Sequence, residues 1–240
     1  MQAKDRIILA LDVDTKAQAL NLVKELKDQV GAFKVGMQLF NSEGPAIVEE
    51  INDLGGQVFV DLKLHDIPNT VGAAGRVLTR LNALMFNLHA AGGREMMRKL
   101  AAEVADEANI LAISPPLTLA VTVLTSISAD DLVNDMLIKD YELTDVVVNW
   151  ALMAKECNIS GVVCSPREIQ AIRSACGQDF KIVTPGIRPE WAAKNDQKRI
   201  TTPSEAVRLG ADYIVIGRPI TAAENPKAAA IRIIEELEAI

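Results

Sequence analysis

The sequence predicts an α/β fold, a closed (β/α)8 barrel of the TIM type forming one domain over residues 1–240, on three observations. Short apolar, β-branched runs alternate with longer amphipathic stretches along nearly the whole chain. The runs are apolar throughout rather than alternating, as expected of parallel strands buried on both faces. Eight such units in 240 residues also match the roughly 250 residues a barrel of this kind uses. A doubly wound sheet is the alternative, but no G-x-G-x-x-G follows the first strand.

The expected strands are Ile7–Leu11, Phe33–Val35, Val58–Leu62, Met85–Leu88, Leu119–Val123, Gly161–Val163, Lys181–Thr184 and Tyr213–Ile216. Between them, Thr15–Val30, Pro45–Leu54, Ile67–Leu81 and Glu95–Glu107 carry helical periodicity, and a last helix runs from about Pro226 to the C-terminus. The span Ser126–Glu156 reads least clearly and is expected to hold two short helices.

Hydrophobic residues make up 49% of the chain and aromatics only 4%, so the core must be built of Ala, Val, Ile and Leu. A net charge of −7 leaves no basic field for nucleic acid or an anionic membrane, although a few converging cations would still hold an anionic small molecule. No apolar run reaches the ~18 residues of a membrane span, and the N-terminus lacks the length and flanks of a signal peptide. The three cysteines form no CxxC pair, and their odd number points to free thiols in a reducing compartment. A cytoplasmic protein is expected.

In a barrel, chemistry collects where strands end and βα loops begin. The first strand ends at Asp12, the second contains Lys34, and the third runs into Asp61, Lys63, His65 and Asp66. The fourth ends at His89, the fifth near Thr125, the seventh at Pro185–Gly186 with Arg188 just beyond, and the eighth at Gly217–Arg218. Charges inside apolar strands are costly unless paired, so Lys34 and Asp61 want each other or a ligand. Strand alternation puts Asp61 and Lys63 on one side, and carboxylates so close favour a charged ammonium between them. That arrangement suits a proton donor beside a centre developing negative charge. It suits a structural ion-pair network equally well.

Val215-Ile216-Gly217-Arg218-Pro219 suits a phosphate site: a bare glycine backbone, a cation, and a proline in the first turn of a helix. Phosphate sites after the last two strands are common in such barrels. The polar stretch Ile187–Pro203, carrying Gln197, Lys198 and Arg199, reads either as a segment that closes over a ligand or as a solvated loop. With His65 and His89 the only histidines there is no HExxH zinc motif, and no G-x-S-x-G elbow is present. His89 reads as a hydrogen-bonded strand-end residue and Cys164 as buried packing.

Six stretches together resemble the orotidine 5′-phosphate decarboxylase family: Leu9–Asp12, Phe33–Gly36, Asp61–Thr70, Thr122–Ser126, Thr184–Arg188 and Val215–Pro219. They span nearly the whole chain in the family's order, and Asp61–Thr70 is the most specific. The resemblance implies conversion of orotidine 5′-monophosphate (OMP) to uridine 5′-monophosphate (UMP) and carbon dioxide in pyrimidine biosynthesis, with no cofactor and no metal. By the same resemblance Asp12 holds the ribose, Lys34 links the ribose to Asp61, Asp61 faces the substrate carboxylate, and Lys63 delivers a proton to C6. Thr125 would contact the pyrimidine. Gln197, Arg218 and the Gly217 backbone would grip the phosphate with Arg188 nearby. Asp66 and Thr70 would serve the neighbouring site of a homodimer. Two departures are mild: Ala90-Ala91 after His89, and a bulky Met85-Phe86. The competing expectations are a Mg²⁺-dependent sugar-phosphate decarboxylase or aldolase on the same barrel, and a non-catalytic nucleotide-binding barrel.

Overall fold

The structure, a computed structural model, describes residues 1–192 and 201–240. Eight parallel strands close into a barrel, each bonded to the next in sequence, with the eighth returning to the first. They are β1 (Ile7–Ala10), β2 (Ala32–Gly36), β3 (Val58–Leu64), β4 (Met85–His89), β5 (Leu117–Val121), β6 (Gly161–Val163), β7 (Lys181–Thr184) and β8 (Tyr213–Ile216). All eight expected strands are present, the last three with the expected bounds. β3 runs two residues further than expected, and β5 lies two residues earlier, so Thr125 sits in the loop beyond it.

The helices are α1 (Lys16–Leu26), α2 (Met37–Glu43), α3 (Ala46–Asp53), α4 (Pro68–Arg80), α5 (Gly93–Leu111), α6 (Ala129–Asn134), α7 (Leu143–Glu156), α8 (Ile169–Cys176), α9 (Pro203–Leu209), α10 (Arg218–Thr221) and α11 (Pro226–Glu238). The span Ser126–Glu156 does hold two helices, the second of full length. Thr15 and Thr202 close capping boxes that start α1 and α9, each satisfying helix amides that would otherwise lack partners.

Two cores result. Between barrel and helices lies a continuous layer that includes Ile7, Leu9, Phe33, Val60, Phe86, Leu88, Ile182 and Ile216. Inside the barrel a smaller cluster holds Ile8, Ala10, Ala32, Phe59, Met85, Leu119, Val183 and Val215. Because strand side chains alternate with period two, the next inward positions toward the C-terminal mouth are Lys34, Asp61, Asn87, Val121, Pro185 and Gly217. The sequence thus switches from apolar filling to polar groups within one step along β2, β3 and β4. Among the described residues, no helix is long and apolar enough to cross a membrane. Cys157, Cys164 and Cys176 are buried free thiols.

Candidate active site

A cavity of about 220 Å³ opens at the C-terminal mouth. Lys34, Asp61, Lys63 and Thr125 supply its polar lining, and Phe59, Val121, Val163, Pro185 and Val215 its apolar floor and walls. Charge alternates along one line across β1, β2 and β3. Lys34 Nζ is 3.0 Å from Asp12 Oδ1 and 3.5 Å from Asp61 Oδ2, and Lys63 Nζ donates to Asp61 Oδ1 at 2.6 Å. The Lys34 and Asp61 side chains are mostly buried, at 12% and 13% exposure, whereas Asp12 stands 66% exposed at the rim. Lys34 and Asp61 are therefore paired, as burial of their charges requires.

Burial alone would raise the Asp61 carboxyl. The Lys34 charge and the hydrogen bonds from Lys63 and Asn87 outweigh it and hold the group below the usual carboxylate range. Asp61 is thus an anion at neutral pH, fixed between two cations. The His89 imidazole is also lowered from its usual value, by burial first and then by the charges of His65 and Lys63. Its ring lies 5.4 Å from that of His65. It is a neutral imidazole at pH 7.

Lys63 reaches Asp61 by a route that simple alternation does not describe. Its backbone is left-handed, with φ of 53°, and the β3–β4 register shifts between Val60 and Leu64. A residue with a Cβ adopts that conformation at a cost, typically where surrounding contacts enforce it. One such contact is Asn87, whose Oδ1 accepts from the Lys63 amide and whose Nδ2 donates to Asp61 Oδ1, both at 2.7 Å. Sequence reasoning missed Asn87. Its signal was a polar residue at an inward position between Phe86 and Leu88.

The remaining candidates stand around the mouth. Asp66 and Thr70 lie at the start of α4, exposed, and neither lines the cavity. Asp66 Oδ1 accepts from the following Ile67 amide at 2.6 Å, and Ile67 itself is 67% exposed. Gly186, with φ of 77°, turns the chain after β7 where a side chain would be strained. Arg188 donates its amide to Thr201 O beside a bridge between Ile187 and Thr201, so both described ends of this connection are tied together. Gly217 caps α10 directly after β8, and Arg218 begins that helix, exposed. Gln197 lies outside the described residues.

The profile of the "Orotidine 5'-phosphate decarboxylase / HUMPS family" matches residues 5–233. A protein of Syntrophomonas wolfei named orotidine 5'-phosphate decarboxylase is 69% identical over 238 residues, covering 99% of this chain and all of that one. One of the same name from Moorella thermoacetica is 51% identical over 240 residues, covering 100% of this chain and 95% of its own. The crystal structure of orotidine 5'-phosphate decarboxylase from Lactobacillus acidophilus superposes with a TM-score of 0.85 at 37% identity, covering 96% of this chain and 98% of that one. With the matching barrel and the charged line at its mouth, these likenesses make the chain a member of the orotidine 5′-phosphate decarboxylase / HUMPS family.

Proposed function

We propose that this chain converts OMP to UMP and carbon dioxide, with Lys63 as the proton donor to C6. The observation that carries this reading is the alternation of charge from Asp12 at the rim through Lys34 and Asp61 to Lys63, the last three lining a cavity large enough for a pyrimidine ring. The C6–carboxylate bond breaks and its electron pair stays on C6, where the ring delocalises it poorly. The Lys63 ammonium lies beside that carbon, stabilises the developing charge and transfers a proton to it. The resulting neutral amine regains a proton from solvent. Asp61 faces the departing carboxylate, whose release as neutral carbon dioxide removes a like charge from its side.

Asp12 and Lys34 hold the ribose, and Thr125 contacts the pyrimidine. The Gly217 backbone, Arg218, Arg188 and Gln197 receive the phosphate, whose binding energy orients the ring against Lys63. Two copies form a homodimer in which Asp66 and Thr70 reach the neighbouring site. Their exposure beside the apolar Ile67 and Val77 supports this. A cytoplasmic setting is supported by three unpaired thiols.

The test is the loss of OMP absorbance with purified protein in excess chelator. Turnover to UMP is expected to persist there. Turnover that vanishes with the chelator and returns with Mg²⁺ would favour the sugar-phosphate branch of the family, and nucleotide binding without carbon dioxide release a non-catalytic barrel.

A further inference from the structure

Asn87 lies on β4 with 1% of its surface exposed, and an amide that deep in a barrel is costly unless both its ends are met. Both are. The Asp61 carboxylate takes only a donor and the Lys63 backbone N–H only an acceptor, and Asn87 presents Nδ2 to the first and Oδ1 to the second. A leucine of similar size would leave the Lys63 amide without this acceptor and Asp61 with one donor fewer, and an ionised aspartate would set a second anion against Asp61.

The strand irregularity gives this contact its consequence. Val60 faces Phe86 and Leu64 faces Leu88, so four steps along β3 (60 to 64) match two along β4 (86 to 88). Within this irregular stretch the Lys63 backbone N–H donates to the side-chain oxygen Oδ1 of Asn87. Asn87 Nδ2 in turn donates to the Asp61 oxygen to which Lys63 Nζ also donates. One side chain therefore sets both ends of the Lys63 residue, its left-handed backbone directly and its ammonium through Asp61.

We propose that Asn87 is a positioning residue for the decarboxylation, holding Lys63 and Asp61 in register so that the ammonium faces the reacting carbon. This rests on the decarboxylase reading. Turnover of OMP by the unaltered protein tests that reading alone, whereas the ratio of variant to unaltered protein tests Asn87.

Asn87→Ala and Asn87→Asp are compared for kcat, KM and UMP affinity from about pH 5.5 to about pH 8.5. Asn87→Ala is expected to lower kcat about 100-fold with KM and UMP affinity within about threefold. Asn87→Asp can serve as asparagine does only when protonated, its O–H donating to Asp61 and its C=O accepting from Lys63. Its kcat relative to the unaltered protein is therefore expected to rise as pH falls. The charged and titratable groups around this position are Asp61 and Lys63 from β3, Lys34 from β2 and His89 from β4 itself, while β5 presents Leu119 and Val121. Both proteins carry all of these, so the ratio isolates position 87. If Asn87→Ala does not fold, Asn87→Asp decides alone. A ratio flat with pH, or kcat for Asn87→Ala within about twofold of the unaltered protein, would overturn the proposal.

Discussion

Lys63 shows how far single residues could be read from the chain. Lys34 and Asp61 were legible as partners because charges in an apolar strand must be paired, and they stand 3.5 Å apart; Asp61 and Lys63 were brought together only by a strand alternation that β3 does not keep at Lys63. The left-handed backbone at Lys63 was not legible, because no glycine or asparagine marks that position. Nor was Asn87, since a single amide in an apolar strand carries no spacing pattern. The state of Asp61 has a measurable effect on stability. Its folded carboxyl ionises below the usual range, so its stabilisation is complete above the unfolded value and is lost as pH falls through the folded one. Asp61→Asn lacks that contribution. Denaturant unfolding should therefore show a stability that depends less steeply on pH below about pH 4 in Asp61→Asn than in the unaltered protein; equal slopes would argue against a depressed Asp61.

Elements were legible where periodicity and caps agreed, and less so where tertiary packing decides. The strand centres follow from apolar runs. The two-residue offset of β5 reflects a run, Leu117 to Leu124, that stays apolar or β-branched past the last ladder bond. α4 and α5 illustrate packing that sequence hints at only through small residues. A Cβ on Gly75 would lie 2.4 Å from Leu100 Cδ1 and 3.1 Å from Val104 Cγ2, and one on Gly72 3.0 Å from Glu103 Cγ. The glycines thus let α5 close on α4, and ion pairs of Arg76 with Glu103 and Arg80 with Glu107 flank the contact. α4 begins two residues after Asp66 and carries Thr70, so this seam sets where both residues stand. Gly75→Val should cost about 1–3 kcal/mol through overpacking, read as a lower denaturation midpoint at unchanged m-value. Unchanged stability would show that the α4–α5 seam has slack.

At the scale of the whole molecule, stability and chemistry occupy opposite ends of the barrel. At the N-terminal end Arg173 donates to the Gly177, Gln178, Phe180 and Gly210 carbonyls and to Asp212, which in turn accepts from the Ile182 amide. These contacts staple α8, β7 and the start of β8 without approaching the cavity. The polar groups of the C-terminal end are assembled from five or more separate strand ends, which is why the charges were locatable once eight strands had been counted. Among the described residues the ion-pair partner of Lys63 is Asp61, and the Asp66 carboxylate accepts from the Ile67 amide. The proposed shared site pairs Lys63 of one subunit with Asp66 of the other. Its most direct test is OMP turnover by Lys63→Ala, by Asp66→Ala, and by the two mixed and allowed to exchange subunits. Each variant alone should be nearly inactive while still binding UMP, and the mixture should recover about a quarter of normal activity, because half the dimers are hybrids with one intact site. Near-normal turnover by Lys63→Ala, or a mixture no more active than its components, would contradict the account.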